Sequence, residues 1–278
     1  MTIEEVIRES VVALFSNEIL RRTLVLKGGS ALFLIQDIDT RLSVDIDFSV
    51  SNEVENPDEY FAHVAKALSK HFGKLNFEVF DTAFRRKPRE RAETKPRFWA
   101  GWYFEFKLID TNLSSKELEY KQRAALIPDG AASSKIEIEI SEYEYCDSTE
   151  NVELDGSMII SYPTALLVLE KLRAICQQHS RYPYGKLKNR ARDYFDIYQL
   201  VKKYRSPELF EEMRQHLPQV FSAKDVSLDL LKDIFEEEFV EFQASHFGSV
   251  EATVKEKTEP FGFYLEQLRF LVAELGYF

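Results

Sequence analysis

The sequence predicts an α+β protein of 278 residues, a mixed α/β half followed by an all-helical half. Three observations carry this. Residues 135–140 alternate strictly, isoleucines on one side and a lysine and two glutamates on the other, as in a half-buried strand. Residues 42–50 alternate as well and hold the β-branched Val44, Ile46 and Val50. From Pro163 onward the apolar period is helical throughout.

The remaining elements follow in order. Residues 2–20 place Ile3, Val6, Ile7, Val11, Leu14 and Phe15 on a helical stripe. The short apolar run Leu24, Val25, Leu26 ends at Lys27-Gly28-Gly29-Ser30, and residues 31–35 read as a helical turn or two. Residues 57–72 are helical, with Phe61, Val64, Ala65 and Leu68 apolar, and residues 76–80 read as a strand. Residues 85–97 form a basic cluster between strands, expected as a loop: Arg85, Arg86, Lys87, Arg89, Arg91, Lys95 and Arg97 against Glu90 and Glu93. Residues 99–109 and 135–145 are two more strands. Pro163 sits where a helix start tolerates it, and residues 164–178 and 189–204 read as helices. The expected domains are residues 1–155 and residues 156–278, packed together without a flexible linker.

Composition excludes several classes. Hydrophobic residues at 45% and charged residues at 30% are ordinary globular values, which argues against disorder and fibrous repeats. The net charge of -11 argues against a protein that coats nucleic acid or anionic membrane by bulk electrostatics. Most of that charge lies after residue 205, where 15 acids face 6 bases. The preceding part is almost neutral and leaves room for a basic groove. No apolar run approaches the roughly 18 residues of a membrane span, and the N-terminus carries acids where a signal peptide carries bases. A cytoplasmic location with no membrane partner is expected. Cys146 and Cys176 are too few for a disulfide framework and read as reduced thiols. The five histidines show no ligand spacing, so a zinc site is not expected.

The chemistry is concentrated in Gly28-Gly29-Ser30 followed by Asp45-Ile46-Asp47. A glycine turn opening a helix leaves backbone N–H groups for a phosphate, and the Ser30 hydroxyl offers another donor. Asp45 and Asp47, two apart on a strand, point to one face. Paired carboxylates repel unless a cation lies between them, and Mg²⁺ (or Mn²⁺) suits oxygen ligands shared with substrate phosphates. A neighbouring strand supplies a third acid, Glu139 or Glu137, with Glu139 preferred because it enters the step that closes the strand pattern. Glycine turns and Asp-x-Asp pairs each occur without function. Their occurrence together and in order favours a site.

Lys171 lies among Leu166, Leu167, Leu169, Leu172, Ala174 and Ile175, as a snorkelling surface group or as one held at a site. Asp193 and Asp196 share a helix face. Asp193 anchors that lysine, orients Arg190 or Arg192, or serves as a general base. Asp196 reads equally well as a tether for an arginine of the previous turn. The basic cluster is either a solvated hairpin or an electrostatic lip for an acceptor backbone.

These residues resemble a family. Lys27-Gly28-Gly29-Ser30-Ala31-Leu32, then Arg41-x-Ser43-x-Asp45-Ile46-Asp47-Phe48, looks like the first motif of the AbiEii/AbiGii toxin nucleotidyltransferases. This is a branch of the DNA polymerase β-like superfamily that includes the MenT-type toxins. Glu170-Lys171-Leu172-Arg173-Ala174 and Arg190-x-Arg192-Asp193-x-x-Asp196-Ile197 resemble its later motifs. The last 70 or so residues match no motif.

The resemblance implies a polymerase β-like mixed sheet with flanking helices and a helical C-terminal domain that completes the active site. It implies a toxin of a toxin–antitoxin or abortive-infection (phage-defence) system. Such a toxin transfers nucleotides from an NTP with Mg²⁺ to an RNA acceptor, in some relatives the 3′ end of tRNA. The expected roles are Gly28, Gly29, Ser30, Lys171, Arg190 and Arg192 on the nucleotide, Asp45, Asp47 and Glu139 (or Glu137) on the metal, and Asp193 positioning Lys171 or Arg190. In the family the matching lysine contacts the triphosphate, as a compact cation suits. A separately encoded antitoxin partner is expected, with the acidic tail a candidate surface for it, and the chain itself is expected as a monomer. The alternatives are nucleotidylation of a protein or small-molecule hydroxyl, and a non-catalytic binding scaffold.

Overall fold

The computed structural model describes residues 1–38, 45–88, 96–185, 187–254 and 257–278. The chain forms two compact units, one holding Met1–Asp37 and the chain from Asp45 to Ser161, the other Ile38 and the chain from Tyr162 to Phe278. The expected α+β class is found: a mixed seven-stranded sheet with helices, then helices alone.

The first unit begins with α1 (Ile3–Phe15) and α2 (Glu18–Thr23). The single stripe over residues 2–20 is thus broken in two, because Asn17 caps a new helix by accepting from the N–H groups of Ile19 and Leu20. Thr2 and Glu5 form a reciprocal capping box at the start of α1. Then come β1 (Val25–Lys27), α3 (Gly28–Leu34), β2 (Ile46–Ser49) and α4 (Pro57–Lys74). They are followed by β3 (Phe77–Lys87), β4 (Gly101–Asp110), α5 (Leu118–Arg123), β5 (Ile136–Ser141), β6 (Glu150–Leu154) and β7 (Ser157–Ser161). Of the strand expected at 42–50, residues 42–44 lie outside the described residues.

The sheet order is β3-β4-β5-β2-β1-β7-β6. Parallel pairs β2–β5 and β1–β7 sit among antiparallel ones, so the sheet is mixed. The alternation of β5 holds: Ile136, Ile138 and Ile140 are buried, while Glu137, Glu139 and Ser141 are half-buried. The apolar face is covered by α1, through Val11, Leu14 and Phe15, and by α4, through Phe61, Val64, Leu68 and Phe72. Phe61 stacks on Phe104, with ring centroids 5.8 Å apart, and Phe15 meets Phe48 at 6.1 Å. Each such side chain contributes about 1.5–3 kcal/mol when fully buried. The opposite face of the central strands is polar.

Two features depart from the sequence reading. The β6–β7 hairpin was not expected. It turns at Asp155-Gly156, both at positive φ, and continues the first unit through Ser161. The basic cluster is also not wholly a loop. Arg85, Arg86 and Lys87 are the last residues of β3 and pair with β4 from Tyr103 to Gly101. Residues 89–95 of that cluster lie outside the described residues.

The second unit is helical: α6 (Thr164–Cys176), α7 (Ala191–Tyr204), α8 (Pro207–Ser222), α9 (Leu230–Asp233), α10 (Glu237–Ser245), α11 (Gly248–Glu251) and α12 (Phe261–Glu274). In α6, Ala165 through Leu169, Leu172, Ile175 and Cys176 are all buried, so this helix is surrounded. It packs on α7, α8 and α9, and α12 packs on α7. Burial pushes the Cys176 thiol pKa well up. Among the described residues, no helix is long and apolar enough to cross a membrane.

Candidate active site

In the first unit, the polar face of the sheet carries one row of paired residues. Lys27 on β1 is opposite Asp47 on β2, Asp47 is opposite Glu139 on β5, Glu139 is opposite Tyr103 on β4, and Tyr103 is opposite Arg85 on β3. The register separates the two glutamates. Glu139 stands beside Asp47. Glu137 is paired across to Glu105 instead, and its carboxylate takes ion pairs from Arg85 and Lys135 at 3.4 and 3.0 Å. Asp45 precedes β2 by one residue and is exposed.

Gly28 makes room for Asp47. Its φ is +63°, in the left-handed region, and a Cβ placed there would fall inside the contact radius of Asp47 Oδ2. The glycine is required by backbone conformation and by the close approach of a carboxylate. Ser30 has a structural task within this turn. It is fully buried, and its hydroxyl donates to the Lys27 carbonyl at 3.2 Å and accepts from the Asp47 N–H at 3.3 Å. The hydroxyl joins β1 to β2 and fixes the backbone of Asp47.

Cations surround this row, and the sequence gives no sign of their relation to Glu139. Lys87 Nζ lies 2.7 Å from Glu139 Oε1 and 4.7 Å from the centroid of the Tyr103 ring. Burial raises the Glu139 pKa, but the charge and hydrogen bond of Lys87, with Lys27 and Tyr103, outweigh it and hold the carboxyl below its ordinary value. Lys27 is itself buried and lies 3.4 Å from Glu144. The one available signal was Lys27 inside the quoted motif. Lys87 gave none, because its relation to Glu139 spans three strands.

The described part of the basic cluster is matched by acids. Arg85 pairs with Glu105 and Glu137, Arg86 with Glu53 and the buried Glu142, and Arg97 with Glu53. Hydrogen bonds from Arg97 and Tyr143 hold the Glu53 pKa down at about 2. The expected electrostatic lip is therefore largely neutralised over these residues.

The second unit holds its own constellation. Lys171 on α6 is buried, its Nζ 3.2 Å from Asp193 Oδ1 and 2.7 Å from Asp196 Oδ2 on α7. Asp196, which read equally well as an arginine tether, makes the shorter of these two contacts and is only 1% exposed. Asp193 also meets Arg190 Nη1 at 3.5 Å. Arg192 is exposed. Lys171 is thus held between two carboxylates, a tie between α6 and α7 that also fixes the acid beneath Arg190.

The donor set of the first unit fits a hard divalent cation. Asp47 and Glu139 offer only oxygen, stand side by side, and have a glycine cut away beside them. Among the described residues, no three His, Cys, Asp or Glu side chains converge as a ready-made cage. Substrate phosphates and water would supply the rest of a coordination shell.

Comparison with known proteins decides the family. The profile of the nucleotidyl transferase AbiEii toxin family, of type IV toxin–antitoxin systems, matches residues 11–267. The chain belongs to this family. The AbiEii chain is accordingly a nucleotidyltransferase of the toxin–antitoxin class, and membership implies an NTP substrate and an antitoxin partner. Two solved structures share its fold. JHP933 from Helicobacter pylori is 17% identical with a TM-score of 0.51, the match covering 98% of this chain and 89% of that one. The nucleotidyltransferase toxin MenT4 from Mycobacterium tuberculosis is 15% identical with a TM-score of 0.50, covering 98% and 82%. Among curated protein sequences there is no match.

Proposed function

We propose that this AbiEii-family enzyme transfers a nucleoside monophosphate from an NTP to an RNA hydroxyl, at the 3′ end of tRNA. The observation that carries the reading is the cross-strand pairing of Asp47 with Glu139, beside a glycine whose missing Cβ leaves space for the Asp47 carboxylate. Asp47 and Glu139, with Asp45, are the residues that would hold Mg²⁺ or Mn²⁺. When bound, such an ion supplies Lewis-acid charge to the phosphates of the nucleotide.

The chain's own residues position the reactants. In the transfer, the acceptor oxygen bonds to the α-phosphorus, the α–β phosphoanhydride bond breaks to release pyrophosphate, and the hydroxyl proton passes to solvent. The Gly28-Gly29 turn presents backbone N–H groups to the phosphates. Ser30 locks the strand that carries Asp47. In the helical unit, Lys171 holds Asp193, and Asp193 in turn holds the partly exposed Arg190, with Arg192 beside it in sequence. The RNA acceptor rests on the motif resemblance. Glu236 of the acidic tail, a candidate antitoxin surface, meets His179 at 3.2 Å.

The test is incubation with each labelled NTP, Mg²⁺ and total tRNA. The reading expects label in tRNA with wild-type protein and none with Asp47→Asn. Label in a protein band would move the acceptor class. No incorporation from any NTP would refute the reading.

A further inference from the structure

The Asp47–Glu139 pair is flanked by two lysines that differ in one respect. Lys27 is confined: its side chain is 9% exposed and lies against Glu144, whose side chain is 4% exposed. Lys87 is at the last position of β3, 41% exposed, on a four-carbon stem that can swing into solvent. Its ammonium rests on Glu139 Oε1 at 2.7 Å and over the Tyr103 ring. Arg85, the other cation on that ring, is committed to Glu105 and Glu137. Lys87 is therefore the one of these neighbours that both neutralises Glu139 and is able to leave.

We propose that Lys87 is a resident counter-cation of Glu139 that competes with the divalent cation for this carboxylate and so sets the metal affinity of the site. The proposal rests on the reading of Asp47 and Glu139 as metal-holding residues. The physical reason is charge balance. Two adjacent carboxylates on a sheet face destabilise each other. In the metal-free protein Lys87 offsets that repulsion, and an arriving dication meets an ammonium on its ligand oxygen and must displace it. Lys87 is a positioning residue, acting through Glu139.

The experiment is Mn²⁺ binding to the nucleotide-free full chain, followed by calorimetry and by electron paramagnetic resonance. The variants are Lys87→Met, Lys87→Arg, Glu139→Gln and Asp47→Asn, each checked for folding by circular dichroism. Lys87→Met is expected to bind Mn²⁺ about tenfold more tightly than wild type, since a competing charge is gone. Its melting temperature should also rise more on adding Mn²⁺. Lys87→Arg, which keeps the charge, should stay within about threefold of wild type. Unchanged or weaker binding in Lys87→Met, while Glu139→Gln still weakens it, would overturn the competition and leave the metal site standing. Equal binding by wild type, Glu139→Gln and Asp47→Asn would overturn the metal site itself, and the competition with it. Should Lys87→Met fail to fold, Lys87→Gln carries the same comparison.

Discussion

Asp47 and Glu139 are direct neighbours across the parallel strands β2 and β5, their carboxylates on the face opposite the isoleucines. Like charges so placed are a cost to the sheet, of about 0.2–1 kcal/mol. Asp47→Asn should therefore leave the melting temperature within about 3 °C of wild type. Nucleotide incorporation should fall by at least about a hundredfold, as when a transition-state contact is removed. A large fall in melting temperature would mean that Asp47 serves the fold instead.

Gly28 and Gly73 make a controlled pair. Gly28→Ala forces a Cβ against Asp47 Oδ2 at a positive φ, and should cost about 1–2 kcal/mol together with most of the activity. Gly73 lies in α4 with open space around it, so Gly73→Ala should stabilise by about 0.4–1 kcal/mol. Denaturant midpoints of the two variants give the comparison.

Ser30→Ala removes the acceptor for the Asp47 N–H within a buried junction. The expected cost is about 1–3 kcal/mol, read from chemical denaturation. If the hydroxyl serves only this junction, the affinity for NTP stays near wild type in the folded fraction. A selective loss of NTP affinity with unchanged stability would identify Ser30 as a phosphate contact.

Lys171→Met leaves Asp193 and Asp196 buried without their shared cation, so a loss of about 3–5 kcal/mol is expected. Adding Asp196→Asn to Lys171→Met should recover part of that loss, because the two residues share one network. A double-mutant cycle by thermal unfolding tests this. Strict additivity would contradict the tie between α6 and α7.

Glu53 gives the pH dependence. Its pKa is lowered to about 2 by the hydrogen bond of Arg97 first and of Tyr143 second. A depressed carboxyl stabilises the fold above its unfolded pKa near 4.5 and loses that contribution as pH falls through about 2. Glu53→Gln should therefore narrow the stability gap between pH 5 and pH 2 relative to wild type. An unchanged gap would show that the Arg97 pairing is not formed in solution.

The sequence by itself determined the α+β class, the helical second half, the isoleucine face of β5 and the candidacy of Gly28, Asp47 and Lys171. These are readable because strand and helix periods, and residues brought together by a few positions, are local properties. The β6–β7 hairpin carries only a short local signal, the turn Asp155-Gly156. Tertiary structure alone decided which glutamate joins Asp47, because Glu137 and Glu139 share a face and only the β2–β5 register separates them. It alone turned Ser30 inward, set Asp196 on Lys171, and brought Lys87 to Glu139, 52 residues away in the chain. Such pairings depend on which strands and helices become neighbours, and sequence spacing carries no measure of that.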